Sequence, residues 1–168
     1  MKTLYLLRHA KSSWEDGNLS DFDRPLNERG LRDAPIMGEI LKNKIEQPEL
    51  IISSSAKRAI TTAEIIANSF NYDINKIIKE EKIYHSVVSD LMRIIYETPN
   101  TIERLMLFGH NPTFTLVVNY LSDKYIDNLP TCGFVQINFD LKSWEELESN
   151  TGKLILFEYP KKYLNKRL

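Results

Sequence analysis

Two apolar runs that end abruptly in functional side chains fix most of what this chain can fold into. Leu4-Tyr5-Leu6-Leu7 is followed at once by Arg8-His9, and Leu105-Met106-Leu107-Phe108 by Gly109-His110-Asn111-Pro112. Short unbroken apolar runs suit strands buried on both faces, as in parallel sheets covered by helices. The carboxyl ends of such strands are where open α/β sheets build their sites.

The segments between these runs carry helical spacing. Ala34, Met37, Leu41 and Ile45 form one stripe, with Asp33 expected as N-cap, Pro35 in the first turn, and Asn27 to Arg32 as a separate turn. Leu50-Ile51-Ile52 is a second buried strand. Ser53-Ser54-Ser55 are expected to cap the helix whose stripe is Ala59, Ala63, Ile66, Ala67 and Phe70, which places Arg58 in its first turn. Ile77-Ile78 suits a short strand, and Leu91, Ile94 and Ile95 mark a helix from about Ser89. Asn111 is expected to cap a helix with Pro112 at its first position and Phe114, Val117, Val118 and Leu121 on its apolar face. Phe134 to Phe139 and Leu154 to Tyr159 alternate, as an antiparallel closing edge does. No repeat, low-complexity stretch or linker interrupts the pattern. The expectation is one three-layer α/β/α domain over residues 1–168, with a mostly parallel central sheet flanked by helices.

Composition narrows the function classes. With 22 basic and 23 acidic residues the formal charge is -1, so no broad electrostatic footprint for nucleic acid or an anionic membrane exists, and any anion site is local. The single cysteine, Cys132, permits no internal disulfide and no Cys-rich metal site. The N-terminal apolar stretch is cut off by Arg8 and Lys11, and no run reaches membrane-spanning length, so a cytoplasmic location is expected.

Arg8-His9, the serines with Arg58, and His110 all fall just past the ends of strands. Two forked guanidiniums, two imidazoles and nearby helix N-termini suit a tetrahedral dianion, because phosphate carries about -1.5 to -2 charge at neutral pH. Arginine fits this task better than lysine, since its planar fork bonds two oxygens and never deprotonates. An imidazole among cations is disfavoured as imidazolium and so keeps the lone pair a phosphoryl acceptor needs.

Competing motifs are weaker. No Gly-x-Ser-x-Gly elbow surrounds Ser53 to Ser55. His9, His85 and His110 have no zinc-ligand spacing, so no metal or other cofactor is expected. Asp21-Phe22-Asp23 imitates an aspartyl-phosphatase motif but follows polar residues 17–20, and is expected as loop. Cys132 has Asn138, not arginine, six positions on, which removes the cysteine-phosphatase loop, and the six glycines form neither a P-loop nor a dinucleotide fingerprint. Lys161, Lys162, Lys166 and Arg167 are expected as a solvated tail.

Together these residues resemble the histidine phosphatase (phosphoglycerate mutase-like) superfamily, and within it the short SixA-type phosphohistidine phosphatases. The resemblance rests on Leu7-Arg8-His9-Ala10-Lys11-Ser12-Ser13-Trp14 and Asp23-Arg24-Pro25-Leu26-Asn27-Glu28-Arg29-Gly30. It continues with Ser53-Ser54-Ser55-Ala56-Lys57-Arg58-Ala59 through Thr62-Ala63-Glu64, and with Gly109-His110-Asn111-Pro112. Ala10 stands where most of the superfamily has glycine, a change the SixA branch shares. The resemblance implies that His9 is the phosphorylated nucleophile, that Arg8, Arg58 and His110 hold the phosphoryl oxygens, and that Ser12 belongs to the phosphate-binding group. It also implies an acid that protonates the leaving group. Glu81 is the nearest match, with Glu80, Asp16 and His85 left open.

The implied activity is metal-independent phosphatase chemistry through phosphohistidine on His9, with a phosphorylated protein, above all phosphohistidine, as substrate. Short connections after the site strands would make the pocket shallow, which suits a protein side chain. The alternatives are a small-molecule phosphomonoesterase or phosphomutase of the same superfamily, and a non-catalytic phosphate-binding or docking module. Neither nucleic acid nor membrane is an expected partner, and the expected state is monomer or dimer.

Overall fold

Alternate residues of the central strands are buried on opposite sides of one sheet, and this divides the hydrophobic core in two. Leu4, Leu6, Leu105 and Leu107 join one cluster, whereas Tyr5, Leu7, Met106 and Phe108 join the other. Each fully buried leucine or phenylalanine side chain contributes about 1.5–3 kcal/mol relative to exposure. The computed structural model describes residues 1–164; Lys166 and Arg167 of the basic tail lie outside them.

The strands are β1 (Lys2–Arg8), β2 (Leu50–Ser54), β3 (Ile78–Glu80), β4 (Arg104–Gly109), β5 (Phe134–Phe139) and β6 (Lys153–Glu158). They form one sheet in the order β3-β2-β4-β1-β5-β6. The first four are parallel, and β5 and β6 add an antiparallel edge. Helices α1 (Glu28–Lys42) and α2 (Lys57–Ser69) cover one face. Helices α3 (Val88–Tyr96) and α4 (Thr113–Leu121) cover the other, and α5 (Lys161–Leu164) is a single terminal turn. This is the α/β architecture that the alternating pattern predicts. Among the described residues no helix is long and apolar enough to cross a membrane.

Several local expectations change. Helix α1 starts at Glu28 instead of at Ala34, because Asn27 is the N-cap and its Oδ1 accepts from the Gly30 amide at 2.9 Å. Pro35 therefore lies inside the helix, and the buried Asp33 pairs with Arg32 and Arg29 instead of capping. Ile45 lies past the helix end. Ser53 and Ser54 continue β2, and α2 has Ala56 at its N-cap with no side-chain cap bond. Asn111 does serve the first turn of α4, accepting from the Thr115 amide and hydroxyl, but Pro112 occupies the cap position. Finally, the connection after β1 is not short: residues 9–27 separate it from α1.

Candidate active site

The register of the sheet brings the two histidines together. β1 and β4 are adjacent and parallel, with Arg8 paired to Gly109, so the next residue on each strand is His9 or His110. The His9 amide donates to the Gly109 carbonyl at 3.1 Å, and the two imidazole centroids are 5.1 Å apart. Strand β2 lies on the other side of β4 and delivers Ser54 and, through the first turn of α2, Arg58. Arg8, His9, Arg58 and His110 line one cleft of about 350 Å³.

His9 is held as a neutral imidazole. Its Nδ1 is 2.7 Å from the Ala10 carbonyl, which can only accept, so Nδ1 carries the hydrogen and Nε2 keeps its lone pair. Burial, together with Arg58 and Arg8 and against the opposing Ala10 bond, lowers its pKa to about 4. The imidazole is therefore neutral near pH 7. The turn beneath it is pinned from α2: Thr62 Oγ1 donates to the Arg58 carbonyl at 2.7 Å and accepts from the Ala10 amide at 3.0 Å.

His110 is lowered to about 3 by burial, with His9 and Arg58 adding to the effect. Its Nε2 lies 2.8 Å from Ser54 Oγ, so the second serine of the triplet orients the imidazole and does not cap α2. Its Nδ1 is buried with no partner among the described residues, as is Nε of Arg8. Arg8 is otherwise anchored by Nη1 on the Leu129 carbonyl at 3.0 Å, and burial lowers its pKa from the usual arginine value.

Arg58 is 6% exposed, and a guanidinium that deeply buried needs an anion. Asp21 supplies it. Arg58 donates to the Asp21 backbone carbonyl at 2.5 Å and to its Oδ2 at 3.0 Å. Tyr84 also donates its hydroxyl to Oδ2, at 2.6 Å, and Arg24 donates to Oδ1 at 2.8 Å. These bonds, that of Tyr84 foremost, hold the Asp21 carboxyl well below the usual carboxylate range. Asp21 and Tyr84 are the functional side chains that sequence reasoning missed. The usable signal was the buried arginine in the first turn of α2, which demanded a carboxylate from elsewhere.

Two expected residues lie off the cleft. Ser12 is buried, and its hydroxyl accepts from Arg24 at 2.5 Å, while Arg24 stacks on Trp14 with its guanidinium carbon 3.2 Å from the ring centroid. Ser12 thus braces the loop instead of lining the cleft. Glu81 starts a short 3-10 turn that buries Ile83 and presents Tyr84 to the cleft, and this leaves Glu81 exposed on the outside. Glu80 caps the same turn through the Lys82 amide, and Asp16 is an exposed loop residue bonded to the Asn18 amide. Of the four candidate acids, only His85 lines the cleft.

The model of the histidine phosphatase superfamily (branch 1) matches residues 4–84, which include Arg8, His9 and Arg58. An uncharacterised chloroplast protein of Arabidopsis thaliana is 32% identical over 160 residues, spanning 90% of this chain and 72% of its own. The chain belongs to the histidine phosphatase superfamily. A solved structure from Agrobacterium tumefaciens, a candidate phosphohistidine phosphatase SixA, is 27% identical with a TM-score of 0.80, covering 95% of this chain and 98% of its own. The protein histidine phosphatase SixA complexed with tungstate shares the fold at a TM-score of 0.81 and 18% identity, covering 95% and 98%. The superfamily member described here is thus of the SixA type in fold.

Proposed function

We propose that this superfamily member is a metal-independent phosphatase that passes the phosphoryl group through His9, with a phosphohistidine-bearing protein as its favoured substrate. The observation that carries the reading is the 2.7 Å contact of His9 Nδ1 with the Ala10 carbonyl. The bond from Nδ1 to the Ala10 carbonyl leaves a free-base Nε2 among Arg8, Arg58 and His110.

Nε2 attacks phosphorus in line, and the bond to the leaving atom breaks. Arg8 and Arg58 neutralise the equatorial oxygens, and Nε of Arg8 and Nδ1 of His110 are buried groups with the capacity to bond them. Water then attacks the phosphohistidine, the P–N bond breaks, and His9 returns as free base. Guanidiniums take the part that divalent cations have in kinases. A SixA protein of the same fold binds tungstate, a tetrahedral oxyanion, which supports an oxyanion as ligand here.

The exposed His85 leaves the cleft accessible to a side chain presented by a protein, which favours the first reading. A small phosphoester is the second reading, favoured by the loop of residues 9–27, whose Asp21 closes one side of the cleft against Tyr84. A turnover panel in EDTA separates them, comparing a phosphohistidine protein with phosphoserine, phosphotyrosine and sugar phosphates. The proposal expects the phosphohistidine protein to have the highest kcat/KM. A small phosphoester near 10⁶ M⁻¹s⁻¹, with the phosphoprotein untouched, overturns the substrate choice.

A further inference from the structure

We infer that His85 is the group that gives a proton to the leaving atom and takes one from the attacking water, a catalytic role that rests on the phosphotransfer mechanism proposed above. In-line displacement puts the leaving group opposite Nε2 of His9. His9 is 7% exposed at the floor of the cleft, so the leaving group faces the mouth. The acid must stand there.

Beyond the arginines and the two buried histidines, the cleft is lined by Tyr84, His85, Ser86, Asn111 and Thr113, of which His85 alone is exposed. Most of their protons are committed. Tyr84 donates to Asp21, Asn111 donates its amide to Asn128 Oδ1 and the Leu129 carbonyl, and Thr113 donates to the Ser86 carbonyl. A serine hydroxyl such as that of Ser86 is too weak an acid for the task. The His85 imidazole is exposed and makes no hydrogen bond with the described residues, and its ring lies against Tyr84 at a centroid separation of 3.9 Å. Histidine is also the side chain best suited to giving and taking a proton near neutrality.

The backbone explains how it gets there. Consecutive side chains of an extended segment point to opposite sides, yet Tyr84 and His85 both line the cleft. His85 has φ of 56°, in the left-handed region that a residue with a Cβ enters at a cost of about 1 kcal/mol. That turn after the 3-10 segment sets the second ring beside the first.

The protons balance. In the first step the P–N bond to His9 forms, the bond from phosphorus to the leaving atom breaks, and the proton of the His85 imidazolium passes to that atom. In the second step water forms the new P–O bond, its proton returns to the neutral His85, and His9 departs.

The test uses His85→Asn, because asparagine tolerates the left-handed conformation and keeps the turn. kcat/KM is measured on p-nitrophenyl phosphate, whose leaving group departs unaided, and on alkyl phosphates, whose leaving group needs a proton. Loss on alkyl phosphates on the order of 10²-fold, at least tenfold greater than the loss on p-nitrophenyl phosphate, supports the assignment. Equal loss on both, no loss on either, or the selective loss appearing in Glu81→Gln instead, overturns it. His9→Ala run alongside keeps the two claims apart. If that variant retains turnover, the His9 mechanism fails, whereas a silent His85→Asn with a dead His9→Ala removes His85 alone.

Discussion

Asp21 Oδ2 accepts from Nη2 of Arg58 at 3.0 Å, joining residues 37 positions apart across the edge of the cleft. The same carboxylate receives Tyr84 and Arg24, so one loop residue orients three cleft or loop side chains. Its charge also keeps a buried guanidinium from facing the histidines uncompensated.

Asp21→Asn is therefore expected to lower kcat/KM on p-nitrophenyl phosphate by about tenfold or more, mainly through kcat, because in the proposed mechanism Arg58 bonds the phosphoryl oxygens best in the transition state. Steady-state kinetics check this. A change confined to KM would reduce Asp21 to a substrate-docking role.

Acid should destabilise the fold through the histidines. An unfolded imidazole titrates near 6.5, whereas His9 and His110 do so at about 4 and about 3 when folded. Between those values the unfolded chain binds more protons, so stability is complete above about 6.5 and falls as pH drops towards 4. Denaturant melts at pH 7 and pH 5 should give a drop smaller in His9→Gln than in the parent by on the order of 2 kcal/mol. Equal drops would mean that His9 is not held neutral by the fold.

Vanadate or tungstate should raise the melting temperature in EDTA, since a tetrahedral anion gives partners to Nε of Arg8 and Nδ1 of His110. Arg58→Ala should weaken that shift and lower turnover by a factor on the order of 10². A shift that persists in Arg58→Ala would locate the anion elsewhere.

Gly30 lets α1 approach the chain just after His9. A Cβ there would lie 2.2 Å from the Lys11 carbonyl oxygen, a backbone atom that cannot rotate away. Gly30→Ala is expected to cost about 1–3 kcal/mol and to lower activity, because the displaced segment carries His9 and Ala10. Thermal melting together with kinetics tests this, and wild-type values for both would contradict it.

What was legible in the sequence had a local signature. Leu4 to Leu7 and Leu105 to Phe108 announce buried strands, and each hands over its histidine one residue past the Arg8–Gly109 register pair. Arg58 followed from the stripe of α2 in the same way. The Asp21 contacts depend on pairings 37 and 63 residues apart, which no periodicity encodes. Ser54 looked like a cap because serine before a helix usually is one; the strand runs on through it and turns its hydroxyl to His110. Glu81 matched by order along the chain, but burial of Ile83 two residues later turns it outwards.

A covalent phosphohistidine on His9 is open to direct trapping. The enzyme is mixed with ³²P-labelled substrate in EDTA, quenched in alkali within milliseconds, digested and mapped. An acid-labile, base-stable label is expected on the peptide containing His9, absent from His9→Ala, which should also lack turnover while keeping its fold. Label on any other residue, or full turnover by His9→Ala, would contradict it.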